Sequence, residues 1–330
     1  MGDGVRPQPR RGLVIGAGAA VGGAWALGML CALAETEEAT AFEVVVGTSA
    51  GSVLAALLGS GVPPRAMAEM LSGEAGPAIG AGAVSPVVVP DRVHRVLTDI
   101  PWPVPIPGNL RLAVRTLGQP GRHTVRAAVA ALAPRGRGSL APVGELIDEV
   151  CGPGGWPARP RTWVVAMDFD SGGRVVFGAA GQPVTSLPEA VMASCSVPGI
   201  FPPRQVGSRR YVDGGAVSVT NADVLAEEDL DEVLVLAPMA TAGPDLRKSA
   251  AGRLDRRLRH HLNQRLAWEV ARLTAAGMTV RVLAPTTEDL AVMGADWMDF
   301  RRRRSVVETA VRTGATRLGQ AGTAPIDGVA

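Results

Sequence analysis

Lysine is almost missing from this chain of 330 residues: of 33 lysines and arginines, only Lys248 is a lysine. Chemistry that needs a lysine, such as a Schiff base or a phosphate-loop ammonium, therefore has one candidate. It sits in the polar run PDLRKSAAGR and is set aside. Cysteine is also scarce. Cys31, Cys151 and Cys195 show no paired or metal-like spacing, which fits a reducing compartment, and each stands among small or apolar neighbours as a buried hydrophobe does. The four histidines, His94, His123, His260 and His261, share no short motif, which argues against a zinc site. No metal or cofactor is expected. A net charge of +2 gives no reason to expect nucleic acid as a partner. Apart from residues 12 to 34, no apolar run approaches the length of a membrane span.

What the chain does contain is ample material for a core, 47% hydrophobic against 19% charged residues. The pattern reads as a single domain over 12–320 between tails at 1–11 and 321–330. LVI (13 to 15) is a short strand ending in glycines, followed by the helical AWALGMLCALAETEE. FEVVV, GTSAGS and AGSVLAALLGS then repeat the plan of strand, tight turn and helix, the latter stopped before Pro63 and Pro64. Two such units in succession imply an α/β fold around a mostly parallel sheet. Residues 80–160 are rich in proline and carry arginines at 92, 95, 111 and 115; they read as an insertion or cap over one end of the sheet. The core resumes with a hairpin over 162 to 178 turning at Asp170 to Gly173, and with a helix over 186 to 196 capped by Ser186. Strands at RRYVDGG and DEVLVLAP, a helix over 250 to 276, the strand MTVRVLAP and a helix over 299 to 318 complete the plan.

The sharpest local signal is Gly47-Thr48-Ser49-Ala50-Gly51, a G-x-S-x-G between a β-branched strand and a helix. So tight a turn has no room for side chains two positions either side of the serine, and it lifts the hydroxyl out of the backbone. The helix dipole that follows favours negative charge there. A nucleophilic serine needs a base. His260 and His261 lie in the arginine-rich RRLRHHLNQR, which reads as a solvated helix face, and Ser49 follows only the second strand, earlier than in the histidine-dependent α/β-hydrolases. Asp213, ending the strand Tyr211-Val212-Asp213 before Gly214 and Gly215, offers a carboxylate at a sheet edge; an ordinary Asp-Gly turn is the plainer reading of that site alone.

Taken in order, GLVIGAGAAVGGAWALGML, VVVGTSAGSV and AVMASCSVPGIFPPRQVGSRRYVDGG resemble the patatin-like phospholipase family. The resemblance covers most of 12 to 320, and the ordered set of three motifs is far more specific than any one of them. It implies a three-layer α/β/α sandwich, Ser49 as nucleophile with Asp213 as its dyad partner, and hydrolysis of lipid acyl esters through an acyl-enzyme. It also implies that Gly16, Ala17, Gly18, Ala19, Ala20, Val21 and Gly22 occupy the loop whose amides hold the oxyanion, with Ala17, Gly18 and Ala19 as the donors. The sequence departs from the family at that loop. Alanines stand at 17 and 19 where glycine is usual, which costs energy if either needs positive φ. Val21 stands in place of a basic residue.

Two other readings compete. A nicotinamide-dependent oxidoreductase rests only on a G-x-G after the first strand, and the acidic Glu35, Glu37 and Glu38 lie in a helical run rather than at a strand end. A non-catalytic relative that binds lipid or a partner protein is motivated by the alanine-bearing loop. The lipid substrate also suggests peripheral membrane contact, through Trp102 and the prolines around it and through Arg111, Arg115 or Arg301 to Arg304. Finally, Ala32-Leu33-Ala34 after an apolar run resembles a secretory cleavage site. Cleavage there would remove the first strand and the oxyanion loop, so the reading is an uncleaved, cytoplasmic protein. Acyl length, head group and oligomeric state leave no mark in the sequence.

Overall fold

A computed structural model describes residues 9–36, 42–73, 96, 100–118, 125–152, 155–242 and 250–319. Glu37, Glu38, Arg92, His94, Arg95, His123, Lys248, the outer parts of both tails and the apolar run at 87–90 lie outside these residues. The elements in chain order are β1 (Arg11–Ile15), α1 (Ala19–Ala34), β2 (Val44–Thr48), α2 (Ala50–Gly59) and α3 (Pro64–Ser72). Next come β3 (Val104–Pro107), α4 (Leu110–Gly118), α5 (Val125–Leu132), β4 (Pro134–Arg135) and α6 (Ala141–Cys151). They are followed by β5 (Arg161–Asp168), β6 (Arg174–Phe177), α7 (Leu187–Cys195), β7 (Arg204–Val206) and β8 (Arg209–Asp213). The chain ends with β9 (Glu232–Leu236), α8 (Ala250–Ala275), β10 (Thr279–Leu283), α9 (Thr287–Met293) and α10 (Arg303–Leu318).

The main sheet runs β10-β9-β1-β2-β5-β8-β7, with β6 also paired to β5. The first five of these strands are parallel, while β6, β7 and β8 join through antiparallel pairings. The fold is α/β, a three-layer α/β/α sandwich around a mostly parallel sheet. Its central strands are buried on both faces, which explains their unbroken apolar runs. Leu13 and Ile15 of β1 and Val45 of β2 point into a core shared with α1, α2, α3, α7 and α10. Val14, Val44 and Val46 point to the opposite core, under α8. Helix α1 is packed against α10 so closely that a Cβ on Gly28 would stand 2.5 Å from that of Ala310. The apolar stretch that resembles a leader therefore supplies a central strand and a core helix. Among the described residues no helix is long and apolar enough to cross a membrane.

Local signals set several boundaries. Ser186 accepts a hydrogen bond from the Glu189 N–H and caps α7, but the Glu189 carboxylate pairs with Arg204 rather than closing a capping box. The stretch from β3 to β4 forms its own small layer. Gly108 and Asn109 donate to the carbonyls of Ala133 and Ala131, and Leu112, Ala113, Ala130 and Ala131 pack on Met167, Phe169 and Val212 at the end of the main sheet.

Candidate active site

In parallel α/β sheets, ligands collect where the strands end at their carboxyl side. Here β1 runs into the loop 16–18 and β2 into Ser49, side by side. Register carries Asp213 to the same level. Thr48 is level with Val165 on one side of β5, and Asp213 with Ala166 on the other. Their backbones are thus two strand spacings, about 10 Å, apart, a gap that side chains and the curl of the elbow can close.

Ser49 has φ 55° and ψ −126°, outside the regions open to L-residues without strain, at a cost on the order of 1–3 kcal/mol. Tight packing enforces it. A Cβ on Gly47 would lie 2.5 Å from Ser52 Cα, and one on Gly51 only 2.1 Å from the carbonyl oxygen of Ile15. The elbow and the end of β1 therefore meet backbone to backbone. Two further serines hold the turn: Ser49 N–H donates to Ser194 Oγ at 2.9 Å, and Ser52 Oγ donates to the Ser49 carbonyl at 2.7 Å. Ser194 in turn donates to the Val165 carbonyl at 2.6 Å. Its role was missed in the sequence, although it lies inside the motif ASCSVPG.

Asp213 is 5% exposed. Its Oδ1 accepts the N–H of Gly215 at 2.7 Å, while Oδ2 is buried without a hydrogen-bond partner among the described residues. Burial pushes the carboxyl up to about 6, against the opposing pull of the Ser49 hydroxyl and the Gly215 amide. Ser49 is thus close enough to act on the carboxyl without a bond of normal geometry to Oδ2. Gly214 admits no side chain, since a Cβ would stand 2.4 Å from the Val165 carbonyl. Beyond it the chain is pinned by Glu269 of α8, wholly buried, which accepts hydrogen bonds from Ser218, Thr220 and the Ala222 N–H. Asn221, at φ 54°, donates to Thr48 Oγ1 and ties this loop to the elbow strand.

The loop 16–22 divides its amides between structure and open space. Gly16 N–H donates to Leu236 O at 2.9 Å and Ala17 N–H to Val219 O at 2.7 Å. Ala17 is therefore corrected as an oxyanion donor: its only N–H is already spent on Val219. Val21 N–H donates to Trp297 O and Gly22 N–H to Gly18 O, and the Val21 side chain is buried in the core, bringing no charge to the loop. Among the described residues, the N–H groups of Gly18, Ala19 and Ala20 have no acceptor, nor has that of Ala50, the residue after Ser49. Ala50 was not singled out from the sequence, although the position after a nucleophile supplies a donor in other elbows. Gly18 must be glycine, because a Cβ would lie 2.6 Å from Gly22 Cα. Gly22 is less confined, with Pro238 at 3.1 Å from such a Cβ, and a Cβ on Gly215 would stand 2.9 Å from Asp213 Oδ1.

Of the two alanines that depart from the family pattern, only Ala19 takes positive φ, at 50°. Ala19→Gly is expected to relieve roughly 1 kcal/mol of strain and raise the melting temperature, with ester hydrolysis retained. Thermal denaturation of the two proteins checks this.

Ala19, Ala20 and Ala50 form one end of a pocket of about 150 Å³ that continues between Gly23, Leu27, Leu54 and Leu57 to Met67, Met70 and Phe300. Every residue lining it is apolar or glycine. His260 and His261 lie on exposed positions of α8, their neighbours including Gln264 and each other. Among the described residues no cluster of histidine, cysteine and carboxylate could hold a metal. Cys195 is buried and its thiol is pushed up to about 12 by burial, with Asp213 adding to the effect, so it is no rival nucleophile.

A mostly parallel α/β sheet with a strained serine turn and a buried aspartate at its carboxyl edge, and no histidine beside them among the described residues, sets the class of fold. The family model described as Patatin-like phospholipase matches residues 13–79 and 109–226, more than half of the chain, and the protein belongs to the patatin-like phospholipase family. Membership supports lipid hydrolysis in general terms. No curated protein gave a significant match. Among solved structures, the chain is similar to VipD from Legionella pneumophila, with 15% identity and a TM-score of 0.39 over 93% of this chain and 67% of that one. It is also similar to the type III effector protein ExoU, with 19% identity and a TM-score of 0.40 over 95% of this chain and 54% of that one. The chain thus spans only part of the length of either.

Proposed function

We propose that the protein hydrolyses carboxylic esters of lipids through a Ser49–Asp213 dyad, without metal or cofactor. The observation that supports this reading is a strained serine and a buried carboxylate with an unpartnered oxygen at the carboxyl ends of neighbouring strands, beside unengaged backbone amides, of which those of Ala19, Ala20 and Ala50 belong to residues that also line an apolar pocket. In the first half-reaction Asp213 Oδ2 takes the Ser49 proton as Oγ attacks the ester carbonyl. The N–H groups of Gly18, Ala19, Ala20 and Ala50 stabilise the oxyanion, and the acyl chain lies along Leu27, Leu54 and Leu57. Collapse breaks the ester bond, and Asp213 returns its proton to the departing alcohol. Water then attacks the acyl-enzyme, giving its proton to Asp213, and Asp213 passes that proton to Ser49 Oγ as the acyl–oxygen bond breaks and the fatty acid leaves.

A fluorophosphonate probe tests the nucleophile. Stoichiometric labelling at Ser49 in folded protein is expected, and folded protein that stays unlabelled would remove the serine chemistry altogether.

The acidity of Asp213 fixes the pH dependence. The base must be ionised, and its carboxyl titrates near 6. The profile of kcat/KM is expected to be flat above that value and to fall about tenfold per pH unit below it. An acidic limb at the ordinary carboxylate position near 4 would mean that Asp213 is not the group being titrated.

The pocket predicts chain-length preference. A Cβ on Gly23 would touch that of Ala50 at 3.2 Å, so a larger side chain there crowds the pocket beside the elbow. Gly23→Leu is expected to lower octanoate over acetate ester selectivity about tenfold, the loss of two buried methylenes at ~0.8 kcal/mol each. Unchanged selectivity would place the acyl chain elsewhere.

A further inference from the structure

The layer built from β3, α4, α5 and β4 has an outer face unlike the rest of the surface. Trp102 is 90% exposed, and Val104, Ile106, Leu110, Val114, Val129 and Leu132 of the same stretch also stand open to solvent. Single exposed apolar residues are ordinary; seven within one small layer are not. On α4 the exposed positions are Leu110, Arg111, Val114 and Arg115, one side of the helix, while Leu112 and Ala113 face the protein. In the antiparallel pair, Val104 stands opposite Arg135. Apolar and cationic groups are therefore interleaved on the same face.

The charge of this stretch is one-sided. Between Asp99 and Glu145 the chain has six arginines and not one acidic residue. Arg111, Arg135 and Arg137 are exposed and have no ion-pair or hydrogen-bond partner among the described residues, and Arg115 donates only to the backbone carbonyl of Asp170. A protein that was nearly neutral overall thus concentrates unpaired guanidinium groups beside exposed tryptophan and aliphatic side chains. The inner side of the layer packs on Phe169, Val212, Ala216 and Val217, residues that flank Asp213 and its Gly214–Ala216 turn. Whatever the outer face binds is held next to the catalytic edge.

We propose that this face docks the protein on an anionic lipid bilayer, with Trp102, Ile106, Leu110 and Val114 entering the head-group and acyl boundary and Arg111, Arg135 and Arg137 meeting lipid phosphates. The inference rests on the lipid-hydrolase reading and adds the surface on which it operates. A bilayer suits the pattern because it presents negative charge outside and hydrocarbon immediately below. A nucleic acid would leave the aliphatic residues without a partner.

The test is co-sedimentation with vesicles of phosphatidylcholine alone and of phosphatidylcholine with phosphatidylglycerol, using the Ser49→Ala protein so that the lipid stays intact. Binding is expected on the phosphatidylglycerol vesicles and to weaken with added salt. Arg135→Gln with Arg137→Gln should weaken it about fivefold per arginine. Trp102→Ser with Ile106→Ser should release the protein from the phosphatidylglycerol vesicles. In the Ser49-containing protein, both double variants should hydrolyse a soluble short-chain ester at the parental rate. Equal binding to the two vesicle types, binding unaffected by the variants, or no vesicle binding, as a face for an acidic protein would give, each overturns the docking proposal. None of these results touches the dyad, whose failure would appear instead as lost hydrolysis of the soluble ester.

Discussion

Replacing Ser49 by alanine or Asp213 by asparagine is expected to reduce ester hydrolysis by on the order of 10⁴-fold or more, as when a nucleophile or its base is removed in other serine hydrolases. The two variants should part company in stability. Asp213 is buried and its carboxyl titrates near 6 in the folded protein, against an ordinary value of 3.8. A folded value above the unfolded one means that the neutral form is favoured by folding. That stability is fully present below about pH 4 and is lost as the pH rises through about 6. Asparagine keeps the neutral form at every pH and leaves an oxygen for the Gly215 amide. Asp213→Asn should therefore be inactive and yet melt higher than the parent at pH 8, with the gain vanishing at pH 4. Measurement of kcat/KM and of melting curves at the two pH values checks both halves. An Asp213→Asn protein that keeps its activity sinks the dyad. One that is inactive because it is less stable at pH 8 would make Asp213 a structural residue.

Gly51→Ala is the second substitution with a large expected effect, although it touches no reacting atom. The added methyl would stand 2.1 Å from the carbonyl oxygen of Ile15 and 2.7 Å from that of Gly16. Both obstacles are backbone, fixed by the pairing of β1 with β2 and β9, so neither can swing aside. The elbow must move away from the loop that carries the free amides. A destabilisation of about 3 kcal/mol is expected from the overpacking. A loss of at least 10²-fold in kcat is expected from oxyanion donors that no longer reach the carbonyl. Chemical denaturation and kcat on a soluble ester measure the two effects separately. Gly22→Ala is the matched control: its Cβ would meet only Pro238, at 3.1 Å, and a small effect is expected.

Much of the fold was readable because its signals are short in range. Strand, turn and helix in β1–α1 and β2–α2 follow from apolar runs, glycines and proline stops within a few residues of one another. The requirement for glycine at 47 and 51 follows from the size of a methyl group in a tight turn. Ser186 announced the start of α7 in the same way, though the partner of Glu189 proved to be Arg204, which no local rule selects.

By itself, then, the sequence determined the α/β architecture and the tight strand–serine–helix turn, because apolar runs and backbone sterics act locally and survive in a string of letters; the pairing of Ser49 with Asp213 was implied only by the resemblance to a family. Only the tertiary structure decided that Ala17 has no free N–H, since its acceptor, Val219, lies two hundred residues away. Ala19, not Ala17, carries the positive φ, a matter of how α1 enters from the loop. The raised pKa of Asp213 and the apolar pocket beside Ala50 were likewise invisible in the sequence. Burial and cavity shape are properties of what surrounds a group, and those surroundings are assembled from distant parts of the chain.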